Sequence, residues 1–454
     1  MSEGFSRLGV LGTASLLRSG EQKSVDFARL CIEQTQALDD KVHAWATFDS
    51  DMLMRSAAAA DAAEPKGLLH GIPIGVKDIF NTRDYPTQMG SPLWQGFTPG
   101  NDARCVFHLL RAGGLVAGKT VTAEFAVHAL GKTLNPYNPS ITPGTSSSGS
   151  AAAVAAGMVP AALGTQTAGS IIRPASFCGV YGLKPSFGLI PRTGVLKTTD
   201  SLDTVGFFTA HAADLTVMLD VLRVHGADYP LIDKAFGDTE CRIEARQGPW
   251  RIALFKGPVW DYTETYAREA IEQWLRDAGR QTDIEVVEIE FPESLARAHE
   301  IHATIYNASL AYYFKHEGQQ TTFVSPIMND ILAAGSQITG AEFRQALMDQ
   351  EDLAAEVDRL FEDIDFVVSL STAGSAPPRD TVEQPDSALI WTLAHIPTLN
   401  APVFTDDMGR PFGLQIASRR YGDARLLEFV DDLVKNGLLP ERSPFPQSLV
   451  RQIA

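Results

Sequence analysis

Apolar residues recur along the chain in two patterns, one with the spacing of a helix face and one with the compactness of a buried strand. Apolar positions three and four residues apart indicate an amphipathic helix, and short β-branched runs beside Gly or Pro indicate strands. The helical pattern predicts a helix capped by Ser24 and further helices over Met52 to Ala63, Asp102 to Ala112 and Ala341 to Phe361. The extended pattern predicts strands over His70 to Asp78, Leu115 to Ala117, Met158 to Leu163 and Phe366 to Leu370.

The order of these elements predicts the class of fold. Helices and strands alternate near the start of the chain and again near its end, which favours an α/β fold with a mixed sheet. No internal repeat or low-complexity linker divides the 454 residues. We therefore expect a single large domain over residues 1–454, with a patterned core at about 65–200 and a weakly patterned region at about 225–375.

The charge balance narrows the range of partners. The chain has 38 basic and 55 acidic residues, a net charge of −17, and such a field repels phosphate backbones and anionic lipid. No run of Lys and Arg offsets it, so we expect neither a nucleic-acid nor a membrane partner. The N-terminal stretch is a poor signal peptide, and the apolar stretch Ala151 to Gly164 is too short to span a bilayer. We expect a soluble, cytoplasmic protein.

Several common chemistries lack their sequence patterns. The four cysteines, Cys31, Cys105, Cys178 and Cys241, have no CxxC spacing, which predicts neither a zinc site nor a disulfide framework. No GxSxG, SxxK or HExxH sequence occurs, so esterase-elbow, penicillin-binding and zincin chemistry are not supported.

One phosphate-binding pattern is present but lies in the wrong context. Gly113 to Thr120 fits GxxxxGK[ST], whose mechanism needs a strand before the first Gly and a helix after the Lys. Here a predicted helix precedes Gly113, and Leu115 to Ala117 is predicted to be a strand. Its amides would then bond within a sheet, so we do not expect Lys119 to bind a nucleotide.

Three other segments carry candidate chemistry. Lys77 ends a predicted strand; a lysine there is usually on the surface, and an internal one must be paired or neutral. The serine-rich stretch Thr142 to Gly157 predicts a loop and then a helix capped by Ser150. Ser170 closes a turn of small residues from Gly164, and such turns expose backbone amides suited to an oxyanion hole. Each segment alone fits an ordinary structural role.

Together these segments resemble the amidase signature family. The resemblance rests on Gly71 to Asp78, Pro143 to Gly157 and Gly164 to Ser170, and it extends nearly end to end through Phe177 to Ser186, Ala376 to Pro378 and Pro411 to Gln415. It implies a mixed, twisted sheet covered by helices on both faces. Gln166 and Ala168 replace the family's usual Asp and Gly. In motif detail the chain is most similar to malonamidase-type members, because Arg173 lies three residues after Ser170.

The resemblance also implies roles for individual residues. Ser170 would be the nucleophile, Lys77 the base, and Ser146 the hydroxyl between them, with a cis peptide joining Ser146 to Ser147. The oxyanion hole would be the backbone amides of Thr167, Ala168, Gly169 and Ser170. Ser147 and Arg173 would contact substrate, although Arg173 could instead pair with a structural acid. The family's chemistry needs no metal or organic cofactor.

The expected function is hydrolysis of a linear, non-peptide carboxylic amide through an acyl-serine intermediate, releasing ammonia or an amine. The expected substrate is a small-molecule amide, with an amide bearing a carboxylate that Arg173 recognises as one candidate and a homodimer as one candidate assembly. The alternative within the same family is the glutaminase subunit of a tRNA-dependent amidotransferase, which carries the same segments.

Overall fold

The computed structural model describes residues 3–225 and 248–453, and eleven strands among them form one mixed sheet. Its order is β1-β3-β2-β4-β6-β5-β10-β11-β9-β7-β8. The strands are β1 Trp45–Phe48, β2 Pro73–Lys77, β3 Leu115–Thr120, β4 Ala161–Gln166, β5 Tyr181–Lys184, β6 Thr204–Thr209, β7 Trp250–Leu254, β8 Ile284–Val287, β9 Phe366–Leu370, β10 Thr398–Thr405 and β11 Pro411–Ser418. The predicted α/β fold with a mixed sheet is confirmed.

Helices connect the strands and bury their apolar faces against the sheet and one another. They are α1 Gly9–Ser19, α2 Ser24–Val42, α3 Ser50–Asp61, α4 Arg104–Arg111, α5 Ser148–Ala155, α6 Ile172–Cys178, α7 Asp214–Leu222, α8 Thr265–Ala278, α9 Ala298–Tyr313, α10 Pro326–Gly335, α11 Gly340–Leu360, α12 Ala388–Leu393, α13 Asp423–Lys435 and α14 Gln447–Ile453. Among the described residues, no helix combines the length and apolarity needed to cross a bilayer.

Two predicted helix starts are wrong. Ser24 is the first residue of α2 and not its cap, because the Asp61 carboxylate accepts the amides of Ser24 and Val25 from across the helix pair. The serine-rich helix begins at Ser148, ahead of the predicted cap Ser150. The Ser150 hydroxyl instead donates to the carbonyl of Leu163, at 2.8 Å, and so joins α5 to β4.

The predicted strand at Met158 to Leu163 is displaced by three residues. β4 runs over Ala161–Gln166, where it pairs antiparallel with β6 from Ala161 opposite Thr209 to Gln166 opposite Thr204. The sheet partner, which sequence periodicity does not report, therefore sets the start of this strand. Cys31, Cys105 and Cys178 are free and buried; Cys241 and part of the weakly patterned region lie outside the described residues.

The phosphate-loop pattern is part of the sheet, as expected. Its last six residues, Leu115–Thr120, form β3, which pairs with β1 and β2. The Lys119 side chain is fully buried and lies 3.3 Å from the carboxylate of Asp78. It also donates to the carbonyl of Phe80 and the hydroxyl of Thr87. Burial lowers the pKa of Lys119 to about 8 and raises that of Asp78 to about 6, so this lysine has a structural role.

Candidate active site

Three parallel strands at one side of the sheet centre place the candidate residues at one edge. β2 pairs in parallel with β3 and with β4, so the carboxyl ends of these strands lie together. Lys77 is the last residue of β2 and Gln166 the last of β4. The turn after Gln166, which carries Ser170, therefore begins beside Lys77. In α/β sheets this edge is the usual place for a site.

Lys77 is fully buried within a cradle of hydroxyl groups. Its Nζ lies 2.8 Å from Ser146 Oγ, 2.9 Å from Ser147 Oγ and 2.9 Å from Thr165 Oγ1. Burial holds the pKa of Lys77 well below its ordinary value, and the Asp203 carboxylate acts weakly in the opposite direction. The lysine is therefore suited to be neutral and to accept a proton.

The loop before α5 supplies two of these hydroxyls. Ser146 and Ser147 are both fully buried, and the non-proline cis peptide joins Thr145 to Ser146. The predicted position of the cis bond, between Ser146 and Ser147, is therefore wrong by one residue. Gly144 has a φ of +83° there, and a Cβ on it would lie 2.7 Å from the Pro174 Cα, so the approach to α6 requires glycine.

Ser147 completes the lysine cradle. Its hydroxyl donates to the carbonyl of Thr165 at 3.1 Å and receives the Lys77 contact. With the Thr165 amide, which donates to the same hydroxyl at 3.3 Å, three hydrogen bonds inside the protein fix its side chain. The predicted contact of Ser147 with substrate stays a prediction.

In the turn from Thr167 to Ser170, the carbonyl groups of the first three residues are all hydrogen-bonded. Thr167 O lies 2.8 Å from His302 Nε2, Ala168 O accepts from Thr392 Oγ1 at 2.8 Å, and Gly169 O accepts from the Arg173 amide at 2.8 Å. Within residues 3–225 and 248–453, the amides of Ala168, Gly169 and Ser170 donate to no protein group. These are three of the four amides predicted to form the oxyanion hole.

Ser170 itself lies at the end of this turn, with 8% of its surface exposed. The Gln166 side chain shapes the turn: its Oε1 accepts the amides of Ile171 and Ile172 at 2.8 and 3.0 Å. Ala168, in place of the family's glycine, has no positive φ, so its Cβ is accommodated. A Cβ on Gly169 would lie 2.9 Å from Arg173 Nη2 and 3.2 Å from Asp386 Oδ1, so a larger residue before Ser170 would have to displace this ion pair.

Arg173 is paired with two carboxylates. Its Nε lies 2.7 Å from Asp386 Oδ2 and its Nη1 3.1 Å from Glu383 Oε2. Burial alone would lower the pKa of Arg173, but the two acids raise it above its ordinary value. The Asp386 side chain is 1% exposed and that of Glu383 16%. The alternative role predicted for Arg173, pairing with a structural acid, is thus present in the structure, and Asp386 is that acid.

Sequence reasoning missed four residues at this site: Thr165, His302, Asp386 and Thr392. Thr165 lies in the motif itself, and its position beside the end of β2 could have indicated it. The other three come from α9, α12 and the segment just before α12, and no local pattern distinguishes them. In the described ranges no group of three or more His, Cys, Asp or Glu side chains is arranged to hold a metal ion.

Comparisons with known proteins identify the family. The profile described as Amidase matches residues 26–427. The chain belongs to the amidase family.

Named amidase-family relatives point to more than one activity. The chain is 31% identical to the A subunit of glutamyl-tRNA(Gln) amidotransferase from Chloroflexus aggregans, over 93% of this chain and 95% of that protein. It is 30% identical to the corresponding protein of Myxococcus xanthus, over 92% and 95%. Among solved structures, the peptide amidase of Stenotrophomonas maltophilia superposes with a TM-score of 0.83 at 26% identity, over 97% and 98% of the two chains.

These comparisons establish an amidase-family enzyme acting on carbon–nitrogen bonds. The corresponding amidotransferase protein of Thermotoga maritima, at 24% identity and a TM-score of 0.80, shares the fold over 98% of each chain. None of these relatives is named as a malonamidase, so that finer resemblance stays a prediction.

Proposed function

We propose that this amidase-family enzyme hydrolyses a linear carboxylic amide at Ser170, with Lys77 as base and Ser146 as proton relay. The observation that carries the proposal is the 2.8 Å contact between Lys77 Nζ and Ser146 Oγ, within a site that lowers the pKa of the lysine. Serine is a weak nucleophile without a base, and a buried neutral amine can act as one.

The proposed reaction proceeds in two displacements. Ser170 Oγ attacks the amide carbon, while its proton passes through the Ser146 hydroxyl to Lys77 Nζ. The C–N bond then breaks as the relay returns the proton to the leaving nitrogen. Water attacks the acyl-serine with the same relay as base, and the carboxylic acid leaves with Ser170 restored.

The acyl group is proposed to be small and polar, because Arg173 lies beside the residue preceding Ser170. Asp386 is nearly inaccessible and fixes the guanidinium, whereas Glu383 is more exposed. A substrate carboxylate could take the place of Glu383 on Nη1 without disturbing the Asp386 pair. This supports a carboxylate-bearing amide as one substrate class.

The second candidate is the glutaminase subunit of a tRNA-dependent amidotransferase. The curated relatives reported above carry that name at 30–31% identity over more than nine-tenths of this chain, and they support this candidate more directly than a stand-alone amidase. In that case the ammonia would pass to a partner protein, whereas a stand-alone amidase, as a monomer or a homodimer, would need no other protein.

One assay tests the proposal and separates the two candidates. Ammonia release is measured from butyramide, succinamate and L-glutamine, with the purified chain alone and with the other amidotransferase components. We expect Ser170→Ala to lose about 10³-fold or more in kcat, while exposed Ser336→Ala is unaffected. An aryl-ester probe should acylate the peptide containing Ser170.

The outcomes are distinct. Hydrolysis by the chain alone supports the stand-alone amidase, and glutamine hydrolysis that appears only with partners supports the amidotransferase component. Full activity in Ser170→Ala, or acylation at another residue, contradicts the proposed mechanism.

A further inference from the structure

The backbone carbonyls of Thr167, Ala168 and Gly169 form a row in which every member is hydrogen-bonded. Two of the three donors are side chains from distant parts of the chain, His302 in α9 and Thr392 in α12. A trans peptide unit points its N–H opposite to its C=O. Fixing the carbonyl of one residue therefore fixes the direction of the next residue's amide.

Because of this coupling, the bond to Thr167 O sets the amide of Ala168, and the bond to Ala168 O sets the amide of Gly169. Both amides are free of protein acceptors within the described residues. Amides that are fixed in direction but left unbonded stabilise a developing oxyanion, since no reorganisation is needed during the reaction.

We propose that His302 and Thr392 are positioning residues that hold the oxyanion-hole amides of Ala168 and Gly169 in direction. The proposal rests on the function proposed above. Neither side chain needs to touch substrate, since each acts through a carbonyl on the opposite side of its peptide unit.

His302 is suited to this role because its ring keeps an N–H donor facing the carbonyl of Thr167 at pH 7. Burial lowers the pKa of His302 to about 4, so the ring is neutral at pH 7. A carbonyl can only accept, so Nε2 carries the ring proton. The ring also stacks on Tyr306, with centroids 5.4 Å apart and planes at 27°, which fixes its orientation.

Thr392 is suited because it continues a hydrogen-bonded chain. Its Oγ1 accepts from Gln166 Nε2 at 2.9 Å and donates to Ala168 O at 2.8 Å, which is nearer than the alternative acceptor Ala388 O at 3.1 Å. Gln166 Oε1 in turn holds the amides on the far side of Ser170. A glutamine can both accept and donate in this way, whereas the family's usual aspartate only accepts. The glutamine at position 166, which replaces the family's usual aspartate, and the hydroxyl at position 392 therefore act together to hold the turn.

The test compares matched variants. Thr392→Val removes the hydroxyl at nearly constant shape, and Thr392→Ser retains it; His302→Leu removes the donor, and His302→Gln retains an N–H near the same place. We expect Thr392→Val and His302→Leu to lose about 10- to 100-fold in kcat with KM little changed. Thr392→Ser and His302→Gln, which retain a donor, should keep most of the kcat. Exposed Thr322→Val and His316→Gln are the controls.

A second measurement keeps the test valid if a variant is less stable. Butyraldehyde adds to the Ser170 hydroxyl as a tetrahedral hemiacetal, whose oxygen occupies the oxyanion hole. Its inhibition constant should rise in parallel with the loss of kcat, at a temperature where thermal unfolding shows every variant to be folded. A merely structural role would leave this constant unchanged.

The possible results distinguish the positioning role from the proposed function. If Thr392→Val and Thr392→Ser, or His302→Leu and His302→Gln, lose activity equally, or if KM rises at constant kcat, the positioning role is overturned. If Ser170→Ala retains activity, the proposed function itself fails. If Ser170→Ala is inactive but Thr392→Val and Thr392→Ser lose activity equally, only the positioning role is refuted.

Discussion

Lys77 shows how one side chain obtains an unusual protonation state from its surroundings. A neutral amine has two N–H groups and one lone pair, and its three hydroxyl neighbours match that set. An ammonium would have three protons to donate and no lone pair to receive one from Ser146. Complete burial favours the neutral form as well. The cradle and the burial therefore act in the same direction.

This environment predicts the pH dependence of the reaction. The base form of Lys77 increases as pH rises through its lowered pKa, so kcat/KM should rise over that range and then level off below the ordinary lysine value. Lys77→Met should lose about 10²- to 10⁴-fold, and its residual activity should lack this limb of the profile. The measurement is kcat/KM for butyramide from acidic to alkaline pH, with exposed Lys66→Met as the control. Retention of the limb in Lys77→Met would show that another group is the base.

At the scale of elements, the turn between β4 and α6 depends on the Gln166 side chain. It is fully buried, and its Oε1 satisfies two amides that open α6 while its Nε2 reaches α12. The first amides of a helix have no partner within the helix. A side chain from the preceding strand here takes the place of a conventional cap.

Gln166→Leu should therefore affect both stability and activity. The amides of Ile171 and Ile172 would be buried without acceptors, at a cost of about 1–3 kcal/mol for each unsatisfied group. We expect the midpoint of urea unfolding to fall accordingly and kcat to fall with it. Exposed Gln345→Leu, which loses one bond to Asp349 on the surface of α11, should change the midpoint little. Equal shifts in the two variants would refute the role of Gln166.

The same elements show what the sequence can predict. Lys77, Ser146 and Ser170 lie in short contiguous motifs at a strand end, a loop and a turn. Their catalytic roles are inferred from the resemblance of these motifs to the amidase signature family, not from the residues alone, and they stay predictions. The start of β4 is not predicted correctly because it depends on pairing with β6. The contacts of His302 and Thr392 cannot be predicted, because their partners are backbone carbonyls more than a hundred residues away. Every residue has a backbone carbonyl, so no sequence pattern distinguishes these two.

At the scale of the whole molecule, the sheet joins two stretches of chain through one pair of strands. The six strands β1 to β6 come from residues 45–209 and the five strands β7 to β11 from residues 250–418. They meet where β5 pairs with β10, from Thr398 opposite Lys184 to Asn400 opposite Gly182. The Asn400 side chain donates across this junction to the carbonyl of Val180 at 2.7 Å. Thr392, which reaches Ala168 from the second stretch, also makes the site depend on the junction.

These shared contacts predict that the two stretches unfold together, although a chain of this length commonly populates intermediates. Two reporter proteins test this, each retaining a single tryptophan, Trp45 beside β3 in the first stretch or Trp391 in α12 in the second, both buried. Their fluorescence transitions in urea should coincide with each other and with the loss of amidase activity, because coincident probes indicate a two-state transition. If the Trp391 transition precedes that of Trp45, the second stretch is an independent folding unit, and the prediction of one domain over residues 1–454 is wrong. If activity is lost before either transition, the turn at Ser170 opens locally while the sheet remains intact.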